Sequence, residues 1–359
     1  MKLTQLNELQ MPTWRWLGIN AAELDINELP DERWTKPVVS DAPKEVILTE
    51  EPTSVEREGL PVDMARISQV VAKHHTYALT VTIPDHTTLS KPLLLDFQLD
   101  DEHPQVVESL TILAGEESKG DVIVRYHASG SKVHIHGGFT SMTVKKNASL
   151  RLFKVQTLGG RDAHLDGTEA TVEENGNVEV VFCELGTAKT VSGCNFLLSG
   201  RKSVGTMQTL FLGTGTRHQD FDDRIELRGR DTQGAIIARG ALSGTAKKVL
   251  RSTLDFIHGA AGSKGSEQET VLTLSDKAVN LSAPLLLSGE SNVEGSHAVS
   301  SGSPNPQKLF YLMSRGFSEL DAKRLLVEAS FAPILAALPL PELKETVSQA
   351  IREAVHHAN

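Results

Sequence analysis

Between residues 105 and 290 no long window carries helical periodicity; the chain reads as short apolar runs closed by Gly, Asn or Asp turns. Residues 106–113 are followed by Gly115, 122–126 by Gly130, and 150–158 by Gly159-Gly160, while 133–139 carry Gly137-Gly138. Where the runs are longest they alternate: Ile225 and Leu227 are interleaved with Arg224, Glu226 and Arg228, and Leu250, Leu254 and Phe256 with Arg251, Thr253 and Asp255. A period of two with polar partners describes half-buried strands. Turn signals stand at Asn175-Gly176-Asn177, Gly200-Arg201-Lys202, Gly229-Arg230-Asp231 and Ser275-Asp276-Lys277, so positions 176, 200, 229 and 276 are separated by 24, 29 and 47 residues. Taking the last step as two, the spacing is a loose period in the mid-twenties, as in a solenoid whose coils bury their inner faces only by stacking. A parallel β-helix satisfies the pattern; so does a β-sandwich or jelly roll, which also strings short strands at close spacing.

The two ends differ from this middle. Residues 20–58 hold 11 Asp/Glu against 4 Lys/Arg and prolines at 30, 37, 43 and 52, a composition expected to form an extended, solvated lead-in. Trp14-Arg15-Trp16-Leu17 is the exception and is expected to dock on the body. After residue 300 the pattern turns helical: a Pro-Asn-Pro turn precedes residues 309–313, and Gly316 supplies a left-handed stop. Ser318 with Asp321 predicts a capped helix to about residue 330, with Leu325, Leu326 and Ala329 toward the body. A last helix is expected from Pro341, its apolar stripe formed by Leu343, Val347, Ala350, Ile351 and Val355, with His356 and His357 at its end. The predicted organisation is an N-terminal helical or irregular region over 1–100, a strand-rich core over 101–300 and a helical domain over 301–359. The lead-in and the C-terminal helices are the expected covers for the open solenoid ends.

A net charge of −10 argues against nucleic acid, which requires a basic footprint, and 17 aromatic residues offer few stacking platforms. No secretory leader is expected at the N-terminus, and the longest apolar run, 331–340, is interrupted by Pro333 and Pro339 and too short to span a bilayer. Two cysteines cannot make a disulfide framework, which favours a reduced cytoplasm.

Catalytic signatures are sparse. Cys183 and Cys194 lie in apolar runs with no Cys-x-x-Cys spacing, so both are expected in the core. Gly213-Thr214-Gly215-Thr216 lacks the Gly-Lys-Ser/Thr of a nucleotide loop. His134-Ile135-His136 sets two imidazoles on one strand face, a cupin-like fragment that is more simply a solvent face. Asp220, Asp222 and Asp223 either solvate a turn ahead of residues 225–227 or mark a β-helix enzyme acting on polysaccharide.

One stretch resembles a known family. Pro284, Ser296 and His297, followed by Phe310-Tyr311-Leu312-Met313-Ser314-Arg315-Gly316, are similar to the C-terminal signature of the SufD family of the SUF iron–sulfur cluster assembly system. The likeness continues upstream through His218, residues 237–242, 258–262, Glu267-Gln268 and 271–276, and covers roughly 150–340. This chain departs from the signature where Leu287 replaces Glu, Ser291 and Asn292 replace an acidic pair, Gly295 replaces Cys and Ala298 replaces Gly. The resemblance implies a right-handed parallel β-helix core and a non-catalytic scaffold. It would pair with a SufB-like paralogue, or with a second copy, and dock a SufC-like ATPase through residues 309–329, with Leu309, Phe310, Tyr311, Arg315, Gly316 and Leu325 as the contact set. It further implies no cofactor held stably by this chain alone, a transient cluster at the SufB interface, and His297 as an auxiliary metal ligand there. The alternative is a β-helix polysaccharide lyase or hydrolase.

Overall fold

The computed structural model describes residues 2–9, 11–13, 15–26, 37–39, 41–50 and 62–356. In chain order, β1 (Lys2–Leu6), β2 (Ala22–Asp25), β3 (Ile47–Glu50) and α1 (Val62–His74) precede eight solenoid turns of two strands each. These are β4 (Tyr77–Ile83) with β5 (Leu93–Leu99), β6 (Gln105–Ala114) with β7 (Lys119–Ala128), β8 (Ile135–Val144) with β9 (Ser149–Thr157), and β10 (Ala163–Val172) with β11 (Asn177–Glu184). They continue with β12 (Lys189–Leu198) and β13 (Val204–Gly213), β14 (His218–Leu227) and β15 (Gln233–Leu242), β16 (Lys247–Phe256) and β17 (Lys264–Thr273), and β18 (Val279–Ser288) and β19 (Glu294–Gly302). Three helices close the chain: α2 (Pro306–Ser314), α3 (Glu319–Ala337) and α4 (Pro341–His356). The first turn begins ahead of residue 101, where the sequence places the start of the core.

The even-numbered strands from β4 to β18, with β3 added antiparallel to β4, form one sheet; the odd-numbered strands from β5 to β19 form the other. Every ladder between stacked turns is parallel. The parallel β-helix is therefore the fold, not a sandwich. Its period is longer than the mid-twenties: Ala163 stands beside Lys189 and Lys247 beside Val279, offsets of 26 and 32 residues. The reason is the corners. Asn147, Asn175, Lys202 and Asp231 all take a left-handed backbone, and the N–H of each bonds to a carbonyl of the next turn. Three of the four sequence turn signals lie at this corner. Ser275-Asp276-Lys277 belongs to the opposite corner, between β17 and β18, so its spacing mixes the two series.

Alternate residues of each strand fill the interior, where Phe97, Phe182, Phe196 and Phe256 pack with the aliphatic residues of both sheets. The outer faces are also covered. α1 lays Met64, Ile67 and Val71 on the nine-stranded sheet against Val107, Phe139 and Leu165. β1 and β2 join the same cluster through Leu3, Leu6 and Leu24, so part of the acidic lead-in is ordered and packed. Asn7 donates its amide to the Ser192 carbonyl and to Asp220, and Arg251 donates to the Ile19 carbonyl and bridges Asp220, which ties the N-terminal hairpin to the solenoid. Trp16 is exposed and not the docking point; Ile19 is buried instead, and Trp14 lies outside the described residues, as does much of the acidic stretch between 27 and 61.

The C-terminal helices depart from expectation in an informative way. Ser318 caps α3 as predicted, accepting from the Asp321 N–H, but the helix continues through Pro333 to Ala337. Its buried face is Ala322, Val327, Phe331 and Ile334, while Leu325 and Leu326 are half-buried and Ala329 is exposed. Together with Leu343, Val347 and Ile351 of α4, this face packs on the outer surface of the eight-stranded sheet, against Phe153, Val181 and Leu210. The helices thus cover a side of the solenoid, not its C-terminal end. His357 lies outside the described residues.

Candidate functional site

That end is open. β18 and β19 are the last strands of their sheets, and among the described residues nothing pairs with their outer edges. Every residue of β19 is exposed. Leu286 and Val299, which continue interior columns of the solenoid, are 38% and 42% exposed because no further described turn covers them. His297 stands on the same inward row of β19, in register with Glu267, which accepts a hydrogen bond from Ser252 Oγ at 2.7 Å. Gly295 stands two residues before it, in register with Gly265. Two free strand edges of 10 and 9 residues present unpaired backbone groups to any strand that can match them.

Immediately after this end the chain enters α2. Asn305 caps it by accepting from the N–H groups of Gln307 and Lys308, and Gly316, at φ +97°, ends it. No residue of α2 is buried. Phe310 is 73% and Tyr311 56% exposed, and the Arg315 guanidinium lies 5.3 Å from the Tyr311 ring centre. Gln307, Lys308, Tyr311, Leu312 and Leu326 line an apolar depression of about 350 Å³. Of the six residues assigned to partner contact, Phe310, Tyr311, Arg315 and Gly316 are exposed, whereas Leu309 and Leu325 are half-buried. The exposed aromatics Phe310 and Tyr311 thus stand next to each other on one short helix.

The interior carries an unexpected amount of charge. His134 and His136 are not on a solvent face; both are buried. His134 Nδ1 lies 3.3 Å from Asp162. His136 belongs to a relay with residues the sequence reading does not single out. The Tyr126 hydroxyl donates to Glu108 at 2.7 Å, Glu108 meets His136 Nε2 at 2.7 Å, and His136 Nδ1 meets His164 Nδ1 at 2.8 Å. His164 Nε2 then faces Glu184 at 3.6 Å, which accepts from Gln156 Nε2 at 3.1 Å. Asp166 is held by the Lys154 ammonium at 2.7 and 2.8 Å. Burial pushes Glu108 up to about 7 and His136 well below the ordinary imidazole value. Burial opposes charge on His164, but the Glu184 and Asp166 carboxylates together outweigh it and raise the group. Gly138 makes room for the relay, since a Cβ there would come within 2.3 Å of Glu108 Oε1. One signal for these residues exists in the sequence: His136 and His164 are 28 residues apart, one solenoid turn.

Further along the axis Asp223 faces the interior and is fully buried, as are Lys248 and Glu269, which form a salt bridge. Asp220, Asp222 and Asp223 therefore lie within β14 and are buried, rather than solvating a turn ahead of it. Burial raises Asp223 to about 7, with the Glu267 carboxylate adding to it and the Thr209 hydroxyl opposing. A carboxyl raised in the folded state contributes stability below its unfolded value near 3.8, and that contribution is lost as pH rises toward 7. Asp223→Asn should therefore stabilise the chain at pH 8 by about 4 kcal/mol and leave it unchanged at pH 4. Melting curves at the two pH values check this; an equal shift at both would contradict it.

Cys183 and Cys194 are free and buried, as expected, and burial raises both thiols well above their usual value. On the outside, a groove of about 500 Å³ crosses the eight-stranded sheet up to Glu294 and Ser296; its charged residues, Lys264 and Glu294, pair with each other at 2.9 Å. No described helix is long and apolar enough to cross a membrane.

Architecture and signature together define a two-sheet parallel β-solenoid carrying a C-terminal helical domain. Residues 97–330 match the SufBD core domain of SUF system FeS cluster assembly. The chain belongs to the SufBD family of iron–sulfur cluster assembly proteins. It is 23% identical to the iron–sulfur cluster assembly protein SufD of Bacillus subtilis over 301 residues, 83% of this chain and 69% of the relative. It is 25% and 26% identical to SufBD family proteins of Staphylococcus epidermidis and Staphylococcus saprophyticus, over 72% of this chain in each case. The chain spans 56% of the length of these two staphylococcal relatives.

Proposed function

We propose that the chain is a non-catalytic scaffold of the SUF system that works in the cytoplasm and assembles through its uncovered end. The observation that carries this reading is the last solenoid turn: two free strand edges, an exposed interior column, and an exposed aromatic helix directly after them. Strand edges of a parallel sheet can be completed by the matching edges of another solenoid, which would continue both sheets and both interiors across the interface. The partner is a SufB-like paralogue; a second copy of this chain offers the same edges and is the competing arrangement. α2 and the start of α3 dock a SufC-like ATPase through Phe310, Tyr311 and Arg315, with Leu309, Gly316 and Leu325 shaping the surface. Nucleotide-driven closure of two docked ATPases then strains the paired ends.

A nascent cluster is cargo of this assembly, held transiently at the interface. Clusters usually take about four thiolates, and both thiols of this chain are buried away from the end. The chain therefore holds no cluster alone, and His297 contributes at most one nitrogen beside thiolates of the partner. The polysaccharide-enzyme alternative gains nothing from the outer groove, whose two charged residues neutralise each other. Co-expression of the tagged chain with SufB-like and SufC-like subunits tests the reading: recovery of all three in one complex supports it, and recovery of this chain alone contradicts it.

A further inference from the structure

Two imidazoles inside the solenoid turn the same ring nitrogen toward one point. His136 and His164 are register partners on β8 and β10, with their Nδ1 atoms 2.8 Å apart. One oxygen of Asp166 completes a group whose donor atoms all lie within 4.8 Å of one another. The opposite nitrogen of each ring faces a carboxylate: Glu108 at 2.7 Å from His136, and Glu184 at 3.6 Å from His164. Histidines that hold metals are fixed in this manner, with the free nitrogen turned to the ion and the other donating to a carboxylate that sets the tautomer. We propose that His136 Nδ1, His164 Nδ1 and an Asp166 carboxylate oxygen bind one divalent transition-metal ion of the Zn²⁺ or Fe²⁺ type within the β-helix. The site is independent of the scaffold reading and of the open end.

Two nitrogens and one oxygen form a borderline donor set, suited to zinc or ferrous iron and poorly suited to Mg²⁺ or Ca²⁺. Without an ion the two Nδ1 atoms share one proton. With an ion roughly 2.0–2.1 Å from each nitrogen, they need to separate to only about 3.3 Å, a small ring rotation. The charge inventory favours a cation. Glu108, Asp166 and Glu184 are all buried here, and Lys154 pairs with Asp166 alone among them. A carboxylate has enough lone pairs for Lys154 to keep one oxygen of Asp166 while the other ligates. The three ligands leave a further coordination position open.

The ligands are sealed from solvent, with His136 and Asp166 showing no exposure and His164 only 1%. The ion is therefore loaded as the turns close during folding, and chelators do not strip it from the native chain. The test is metal analysis of the tag-free full-length chain made in cells supplied with zinc, cobalt or ferrous iron and then gel-filtered through EDTA. About one equivalent per chain is expected to survive, and the cobalt form should show ligand-field bands without thiolate charge transfer. His136→Gln with His164→Gln should reduce retention more than tenfold. Asp166→Asn, which keeps both imidazoles, is the second variant and should also lower it. Wild-type chain retaining less than a tenth of an equivalent of every metal overturns the proposal without any variant. So does a full equivalent retained by the soluble double variant, which would place the ion elsewhere.

Discussion

Val299→Asp is expected to abolish pairing of the solenoid end while leaving the isolated chain folded. Val299 continues an interior column but is 42% exposed, so a carboxylate there is solvated in the free chain and costs little. Once another solenoid covers the end, the same carboxylate is buried without a cation. An unpaired buried charge costs about 3 kcal/mol or more, which corresponds to roughly a hundredfold or greater loss of affinity. Leu286→Asp, in the last strand of the other sheet, should act in the same direction. Light scattering and pull-down of the co-expressed subunits read the effect, with circular dichroism as the control for folding. Unaltered pairing of a folded Val299→Asp chain would remove the end from the interface.

Phe310→Ala combined with Tyr311→Ala should release the ATPase and keep the paired solenoids. Neither ring is buried in the chain, so their removal opens no cavity and costs little stability. In an interface, truncating a large aromatic anchor costs about 2 kcal/mol or more, and two neighbouring anchors together take a micromolar contact beyond practical detection. Arg315, lying against the Tyr311 ring, loses its stacking partner at the same time. The measurement is binding of the purified ATPase to wild-type and doubly substituted chains. Retained binding by a folded variant would mean that these aromatics serve only to finish the solenoid.

Much of the fold is legible because strand and turn chemistry are local. Alternation at 225–227 and 250–256, and the turn residues Asn175, Lys202 and Asp231, each report a feature whose cause lies within a few residues. The period was harder, since turn signals from two corners of one coil share the same residue types. Ser275-Asp276-Lys277 cannot be assigned to its own corner until the register is known. The extent of α3 and the face it buries were set by packing against Phe153 and Val181, far away in sequence. The interior relay was least visible. Histidine, glutamate and lysine normally read as surface, and only the stacking of successive turns carries Glu108, His136 and His164 into one buried cluster. The same blindness applies to the N-terminal hairpin, where the acidic composition from residue 20 onward hides the anchor Leu24. Of the proposed end, His297 was legible through family resemblance, whereas its openness among the described residues emerged only from the packing of α3 and α4 on the side of the solenoid.

Backbone hydrogen exchange in β18 and β19, measured in the chain alone and in the complex with a SufB-like subunit, tests the assembly most directly. In the chain alone, the outward amides of both edge strands have no strand partner among the described residues and should exchange within seconds, while the inner strands β10 to β14 remain protected. Completion of the two sheets should slow the outward amides of β18 and β19 by several orders of magnitude. A complex that forms with those amides still exchanging freely would show that the solenoid ends are not the joint.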